Sequence, residues 1–473
     1  MLFNSLEYAL FLALVFFAFW GLGRAQALRT ALLLGASYLF YMSWNASFVF
    51  LLAASTLVDY WIGNALARRR EAHVRRALVT ASIVLNLGLL AVFKYLDFGL
   101  SAVSTSLSGL GLHVAPVHLG LIVPVGISFY TFQTLSYTID IYRGRLAPAK
   151  SFLDFATYVA FFPQLVAGPI VRASEFLPQL ERPPRLDAYR AGSGMVLIFR
   201  GLAKKVLVAD FLAVNWIDRV FDSPGAYSTV EVWFTVIAYS VQIYADFSGY
   251  TDIARGSARL LGYELPINFR RPLASTGFIQ FWERWHITLS TWIRDYLYVP
   301  LGGSRRGRGW GYANLFIAFL FTGIWHGAGW TFLCFALFHA FAVLINRLYR
   351  EARGHRRGDA VTGFRRVGLI ALFNVALAFH WPTFRAEGAR NMLDVYGRLL
   401  AFDSAAFRVG PAVVAITVLA FAVHLTPPTW AETARDHLAR LPAPVQAGLA
   451  VAVTALLVWV GGEQAAPFIY FQF

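Results

Sequence analysis

Apolar positions run in long uninterrupted blocks, and polar positions gather in the gaps between them. Apolar segments recur at about 6–22, 29–43, 46–66, 77–95, 118–139, 155–170, 193–214, 229–247, 311–328, 331–346, 367–383, 411–425 and 445–461. A helix that crosses a bilayer needs ~20 apolar residues. Several segments are shorter, which predicts re-entrant or broken helices, stable only where protein or a cavity covers their backbone. The pattern therefore predicts an all-α, polytopic integral membrane protein with about 11 to 13 membrane segments. No internal repeat, heptad array or low-complexity tail is visible. A single membrane domain over residues 1–473 is expected.

The polar gaps give an orientation. The gap 67–76 holds Arg68, Arg69, Arg70, Arg75 and Arg76, whereas 96–117 holds neither Lys nor Arg. Short loops rich in Lys and Arg stay in the cytoplasm, so the first loop is expected inside and the second outside. Continued alternation puts 143–150, the run Arg305/Arg306/Arg308 and 347–366 inside. Residues 385–408 carry four arginines offset by Glu387, Asp394 and Asp403, which fits an external amphipathic helix. At the N-terminus Ala25-Gln26-Ala27 imitates a cleavage site, but no Lys or Arg precedes the apolar run, and Arg24 and Arg29 follow it. This is the reverse of a signal peptide's charge order, so a retained first helix with its N-terminus outside is expected.

Composition sharpens the class. Apolar residues make up 58% of the chain and charged residues 14%, against roughly 25% charged in soluble domains. The 42 Phe, 21 Tyr and 14 Trp suit a lipid-facing surface with aromatic belts. The net charge of +15 sits in short clusters between apolar runs, so it reads as topogenic and lipid-facing, and no nucleic-acid partner is expected. The lone Cys334 lies in an apolar run, which excludes an internal disulfide and any Cys-rich metal site.

The stretch Tyr250–Arg308 lies between strong apolar blocks yet is too polar for a simple span. Polar segments held on a rigid scaffold often carry chemistry. Within it, residues 277–300 predict an amphipathic helix. Arg284, Thr288, Thr291 and Asp295 fall on one arc, and Ile279, Trp282, His286, Leu289 and Ile293 on the other. His286 therefore points into the protein or membrane interior. The bland alternative is a core histidine satisfied by one hydrogen bond. In residues 313–330 the only ionisable group with a near-neutral pKa is His326, beside Gly323, Gly327 and Gly329. Intramembrane ionisable groups are costly and mostly functional, and glycines allow close backbone approach. The alternative is a glycine packing cluster with a structural histidine. Desolvation there should keep the imidazole neutral, able to take a proton from a hydroxyl or thiol. The histidine spacing matches neither HExxH nor another compact ligand motif, so no metal or haem site is expected. Arg255, Arg259, Arg270, Arg271, Arg284, Arg294, Arg305, Arg306 and Arg308 form a basic group near the cytoplasmic face. It serves lipid headgroups, or receives a phosphate-bearing donor such as coenzyme A. Asn268, Arg270, Arg271 and Arg284 are the candidate donor-binding residues.

At these residues the chain resembles the membrane-bound O-acyltransferase family, in the branch of alginate O-acetyltransferase and teichoic-acid D-alanylation membrane proteins. The similar stretches are PVGISFYTFQTLSYTIDIYRG at 124–144, FFPQLVAGPIVRASEFLPQL at 161–180 and DFSGYTDIARG at 246–256. LGYELPINFRRPLASTGFIQFWERWHITLSTWIRDYLYVPLGG at 261–303, FTGIWHGAGWTFLCFALFHA at 321–340 and PFIYFQF at 467–473 complete them, in order along the whole chain. WPTFRA at 381–386 departs from the pattern, which has two adjacent phenylalanines before Arg385. The resemblance implies that the WHG histidine, His326, is the essential catalytic residue, with His286 of WERWH as its partner. It implies a ring of helices around a central funnel, acetyl-CoA as donor substrate without a permanently bound cofactor, and a bacterial inner-membrane setting. The acceptor it implies is a polysaccharide such as alginate, reached directly or through a periplasmic partner acetyltransferase. A transporter or flippase that forms no covalent bond would also suit broken helices and a central polar stretch, but no inverted repeat supports it. A channel-like scaffold is the weakest alternative.

Overall fold

The computed structural model describes all residues except 113, 114, 116–118, 167, 355–360, 404, 405, 462–467 and 470–473. The described residues form helices and loops, with no strand among them. Five helices are long and apolar enough to cross a bilayer: Phe48–Arg68, Ala72–Gly109, Trp330–Ala352, Gly363–Arg385 and Ala443–Val460. Pro411–Leu425 and Pro428–Ala439, bent by 93° at their junction, make a sixth if taken as one broken span. Other expected segments are present as shorter or interrupted helices. Leu6–Gly21 has 16 residues and Phe152–Ala160 has 9. Pro163 starts a new helical turn after Phe161, and two π-helical stretches, Lys204–Asp210 and Ala213–Ile217, interrupt the segment expected at 193–214.

Two sequence expectations change. Residues 96–109 are not loop but the last turns of a 38-residue helix, Ala72–Gly109. No proline interrupts these turns, and Gly99 alone is tolerated within a helix, so the helix outlasts its most apolar part. The amphipathic helix expected over 277–300 breaks into Phe278–Trp282 and Ile287–Ile293, followed by a π-helical turn at Arg294–Tyr298. The break has a hydrogen-bonding cause. The Arg270 N–H donates to the Arg284 carbonyl at 2.9 Å, and the Ile287 N–H donates to the Asn268 carbonyl at 2.9 Å. The incoming segment thus takes groups that a continuous helix would use itself.

The chain divides into two compact units, residues 1–195 with 254–266, and residues 196–253 with 267–473. In the first, Asp59 is fully buried between apolar helices, where an ionised or polar group needs partners. Ser82 Oγ donates to it at 2.7 Å and Asn86 Nδ2 at 2.8 Å, and Thr134 Oγ1 in turn donates to Asn86 Oδ1 at 3.0 Å. This polar cluster joins Phe48–Arg68, Ala72–Gly109 and Ile127–Tyr142. In the second unit the helices Arg308–His326 and Trp330–Ala352 form a hairpin around Gly327-Ala328-Gly329. Its core is aromatic, with Phe281, Trp285, Phe332, Phe335, Phe373, Trp381 and Phe384 all buried.

Candidate active site

His326 closes the helix Arg308–His326 and is buried, with 3% of its surface exposed. Its Nδ1 lies 2.7 Å from the Thr322 carbonyl oxygen. A carbonyl only accepts, so Nδ1 carries the proton and the basic lone pair is on Nε2. The spacing is one helical turn, so the helix itself fixes the tautomer. Rings surround the imidazole: Trp325 at 4.8 Å, Phe335 at 5.2 Å and Phe384 at 5.4 Å between centroids.

The glycines beside it let the hairpin close. A Cβ on Gly323 would stand 2.5 Å from the Phe332 carbonyl oxygen, and one on Gly327 would stand 2.0 Å from the Phe332 ring. The Phe332 ring can rotate away, but its backbone oxygen cannot move without parting the two helices. Gly323→Ala is therefore expected to cost about 1–3 kcal/mol, typical of overpacking, and to lower activity through displacement of His326. Thermal unfolding in detergent beside an acyl-transfer assay checks this; an alanine variant with both unchanged would show that the close approach is unnecessary.

His286 is the turn between the two short helices and is fully buried. Its backbone is left-handed, with φ of 42°, a conformation that costs energy for a residue other than glycine and gathers at functional sites. Asn268 holds it. Asn268 Oδ1 receives the Thr288 N–H at 3.1 Å, the Thr288 hydroxyl at 2.9 Å and His286 Nδ1 at 3.3 Å. Because the backbone N–H of Thr288 must donate, this atom is the amide oxygen, and His286 Nδ1 must carry its proton. Both histidines therefore present Nε2 as the basic nitrogen. Trp325 stands between them in packing, its ring 5.8 Å from His286. Phe247 meets His286 edge-on at 4.8 Å.

The four donor-binding candidates separate. Asn268 is 1% exposed and directed to His286, not to a surface ligand. Arg270 is exposed. Arg271 and Arg284 are partly buried, donating to the His424 and Ala274 carbonyls at 2.9 and 3.2 Å. Burial first, and then the neighbouring positive charge of Arg366, holds the Arg271 guanidinium below its ordinary value. Arg284 is lowered in the same way, by burial and then by Arg271 and Arg366. Three guanidinium groups so close together favour an anion among them. Of the remaining basic group, Arg294 pairs with Asp295 at 2.7 Å, while Arg255 and Arg259 belong to the first unit, where Arg259 pairs with Glu264 at 2.8 Å.

A second buried pair escaped the sequence reading. Trp282 Nε1 donates to His339 Nδ1 at 3.3 Å, His339 Nε2 meets His380 Nε2 at 3.1 Å, and His380 Nδ1 contacts the Leu377 carbonyl. The indole can only donate and the carbonyl can only accept, so one proton order fits: Trp282 to His339, His339 to His380, His380 to Leu377. His339 and His326 line one small cavity of about 10 Å³ with Phe281, Trp282, Trp285 and Trp381. That is room for about one water, so a substrate reaching His326 through this chamber must displace aromatic rings. His339 and His380 sit 41 residues apart on different helices, and no local spacing announces such a pair.

Comparison with known proteins gives this geometry its setting. The family model for the membrane-bound O-acyltransferase family matches residues 146–377, which include His286 and His326. The chain is 36% identical over 381 residues to the probable alginate O-acetylase AlgI of Pseudomonas putida, covering 80% of this chain and 76% of that protein. It is 36% identical over 407 residues to the corresponding protein of Pseudomonas aeruginosa, covering 83% and 76%. It is 35% identical over 386 residues to the peptidoglycan O-acetyltransferase of Helicobacter pylori, covering 76% and 71%. The chain is a multi-pass membrane enzyme of O-acyl transfer and belongs to the membrane-bound O-acyltransferase family.

Proposed function

We propose that the protein transfers an acetyl group from acetyl-CoA to a hydroxyl destined for a polysaccharide outside the cytoplasmic membrane. The acceptor hydroxyl is on the sugar itself or on a serine of a periplasmic partner acetyltransferase. Relatives named for alginate and peptidoglycan O-acetylation support a polysaccharide acceptor. One observation carries the chemistry: the buried His326 imidazole has its Nδ1–H committed to the Thr322 carbonyl, so Nε2 is the base. Nε2 takes the hydroxyl proton as the oxygen attacks the thioester carbonyl. The tetrahedral intermediate collapses with cleavage of the C–S bond, and the imidazolium returns the proton to the departing thiolate. His286, its orientation set by Asn268, orients the acceptor. Arg270, Arg271 and Arg284 receive the donor's phosphates.

Purified protein supplied with acetyl-CoA labelled in the acetyl group, and with oligosaccharide with or without the partner enzyme, tests the proposal. The label should leave the thioester and appear as an O-ester. An intact thioester with label carried across a vesicle membrane would overturn it in favour of transport. The role of Asn268 has its own test. Asn268→Ala frees His286 Nδ1 and the Thr288 donors and is expected to lower kcat by roughly tenfold or more while KM for acetyl-CoA changes little. A KM effect alone would return Asn268 to donor binding.

A further inference from the structure

The chamber of about 10 Å³ that His326 lines is walled by three tryptophans, three phenylalanines, Ile243 and His339, all of the second unit. Polar atoms of these walls are engaged elsewhere. Trp282 Nε1 donates to His339 Nδ1 at 3.3 Å, and His339 Nε2 donates to His380 Nε2 at 3.1 Å. Trp381 Nε1 donates to Ser240 Oγ at 2.6 Å. Both nitrogens of His339 are thus in use, and this histidine lines the chamber without offering it a hydrogen bond. A water held there would need two to four polar partners. A methyl group is of about the same size and needs none.

Acyl transfer with His326 as base brings the acyl group close to this chamber. The attacking oxygen must lie roughly 3 Å from the basic nitrogen and roughly 3–3.5 Å from the acyl carbon. The acyl chain therefore starts within about 7 Å of Nε2. The chamber is within that reach, because the His326 ring is one of its walls. A carbohydrate, with hydroxyls along its ring, would lose its hydrogen bonds among these walls. The acyl end loses nothing there.

We propose that this chamber receives the methyl end of the transferred acyl group, and that Trp282 and Ile243 limit that group to acetyl. The inference rests on the proposed roles of His326 and acetyl-CoA. An acetyl methyl fills the space of about one water, whereas the further carbon of a propionyl group must push a wall aside. Trp282 is held against such a push. Its N–H is tied to His339, which is tied in turn to His380. Its ring packs on Phe319 and Phe281 at 5.4 and 5.6 Å. The buried histidine pair thereby fixes the wall that sets the length of the acyl group. Ile243, 1% exposed, is the aliphatic wall.

The test offers the purified full chain acetyl-CoA and propionyl-CoA in competition and reads the ratio of the two O-esters formed. A general loss of folded protein does not move that ratio. The unaltered protein should prefer acetyl by roughly 10–200-fold, the discrimination one methylene allows in an apolar pocket. Trp282→Phe removes the fused ring and should raise the propionyl share by about tenfold. Ile243→Val removes one methylene, a change that cores usually tolerate, and should raise it by about fourfold, the worth of one buried methylene. Equal use of both donors by the unaltered protein would overturn the proposal. So would a ratio unchanged in both variants, which would place the limit on acyl length outside this chamber. Transfer from neither thioester would instead overturn the acetyl-CoA reading itself, and the pocket with it.

Discussion

Replacing His326 with Ala lowers the initial rate of acetyl transfer by about a thousandfold or more, within the range of 10²–10⁴ typical for a lost general base. The reason lies in one atom. With Nδ1–H committed to the Thr322 carbonyl, the proposed mechanism makes Nε2 of the same ring the proton acceptor, and Ala supplies nothing in its place. A Gln substitution keeps more of the volume and a hydrogen-bonding end, yet an amide is not a base at neutral pH, so it should be as inactive as Ala. The two variants together separate chemistry from packing. If loss of ring contacts with Phe335 and Phe384 were the cause, Gln would recover part of the rate. The measurement is initial velocity of O-ester formation, normalised to folded protein by thermal unfolding in the same detergent. A variant retaining a tenth of the normal rate would remove His326 from the role of base.

Much of this was legible in the sequence, and what was not has physical reasons. The helix Arg308–His326 stops, and Trp330–Ala352 starts, within two residues of the edges of their apolar blocks, because Gly327 and Gly329 punctuate them. His326 was conspicuous as an ionisable group in an otherwise uncharged run, and its burial follows from that. The inward direction of His286 was also legible, but not its cause. Helical periodicity predicted a continuous amphipathic helix, whereas the backbone of 268–270 captures the carbonyl of Arg284 and the N–H of Ile287. Such a competition between distant backbone groups leaves no mark in a periodicity. For the same reason Asn268 was grouped with the arginines nearest to it in sequence, although its amide belongs to the histidine 18 residues away. The pair His339–His380 depends wholly on which helices meet, so the chain's one-dimensional pattern could not display it.

The largest structural effect is expected at Lys205, which is 1% exposed and stands 2.7 Å from both Asp210 and Asp246. One cation between two carboxylates leaves a formal excess of one negative charge among buried groups. The Ile469 N–H stabilises that charge by donating to Asp246 Oδ2 at 2.9 Å. Lys205→Met keeps the length of the side chain and removes the charge, leaving both carboxylates without their cation. Breaking a buried ion pair from one side costs about 3–5 kcal/mol, which can exhaust the stability of an ordinary domain. The expected result is a sharp loss of folded protein extracted from membranes and a much lower unfolding midpoint in what remains. Adding Asp210→Asn and Asp246→Asn to Lys205→Met should restore most of the stability, since neutral amides do not need the cation. If the triple variant were no better than Lys205→Met, the damage would be in packing, not in charge. The effect also bears on catalysis. Asp246 precedes Phe247, whose ring abuts His286 at 4.8 Å and Phe468 at 5.6 Å. The ion cluster therefore fixes the helix turn that backs the second histidine. A rescued triple variant that folds but transfers acetyl groups slowly would show that the Lys205 cluster positions His286 as well as stabilising the fold.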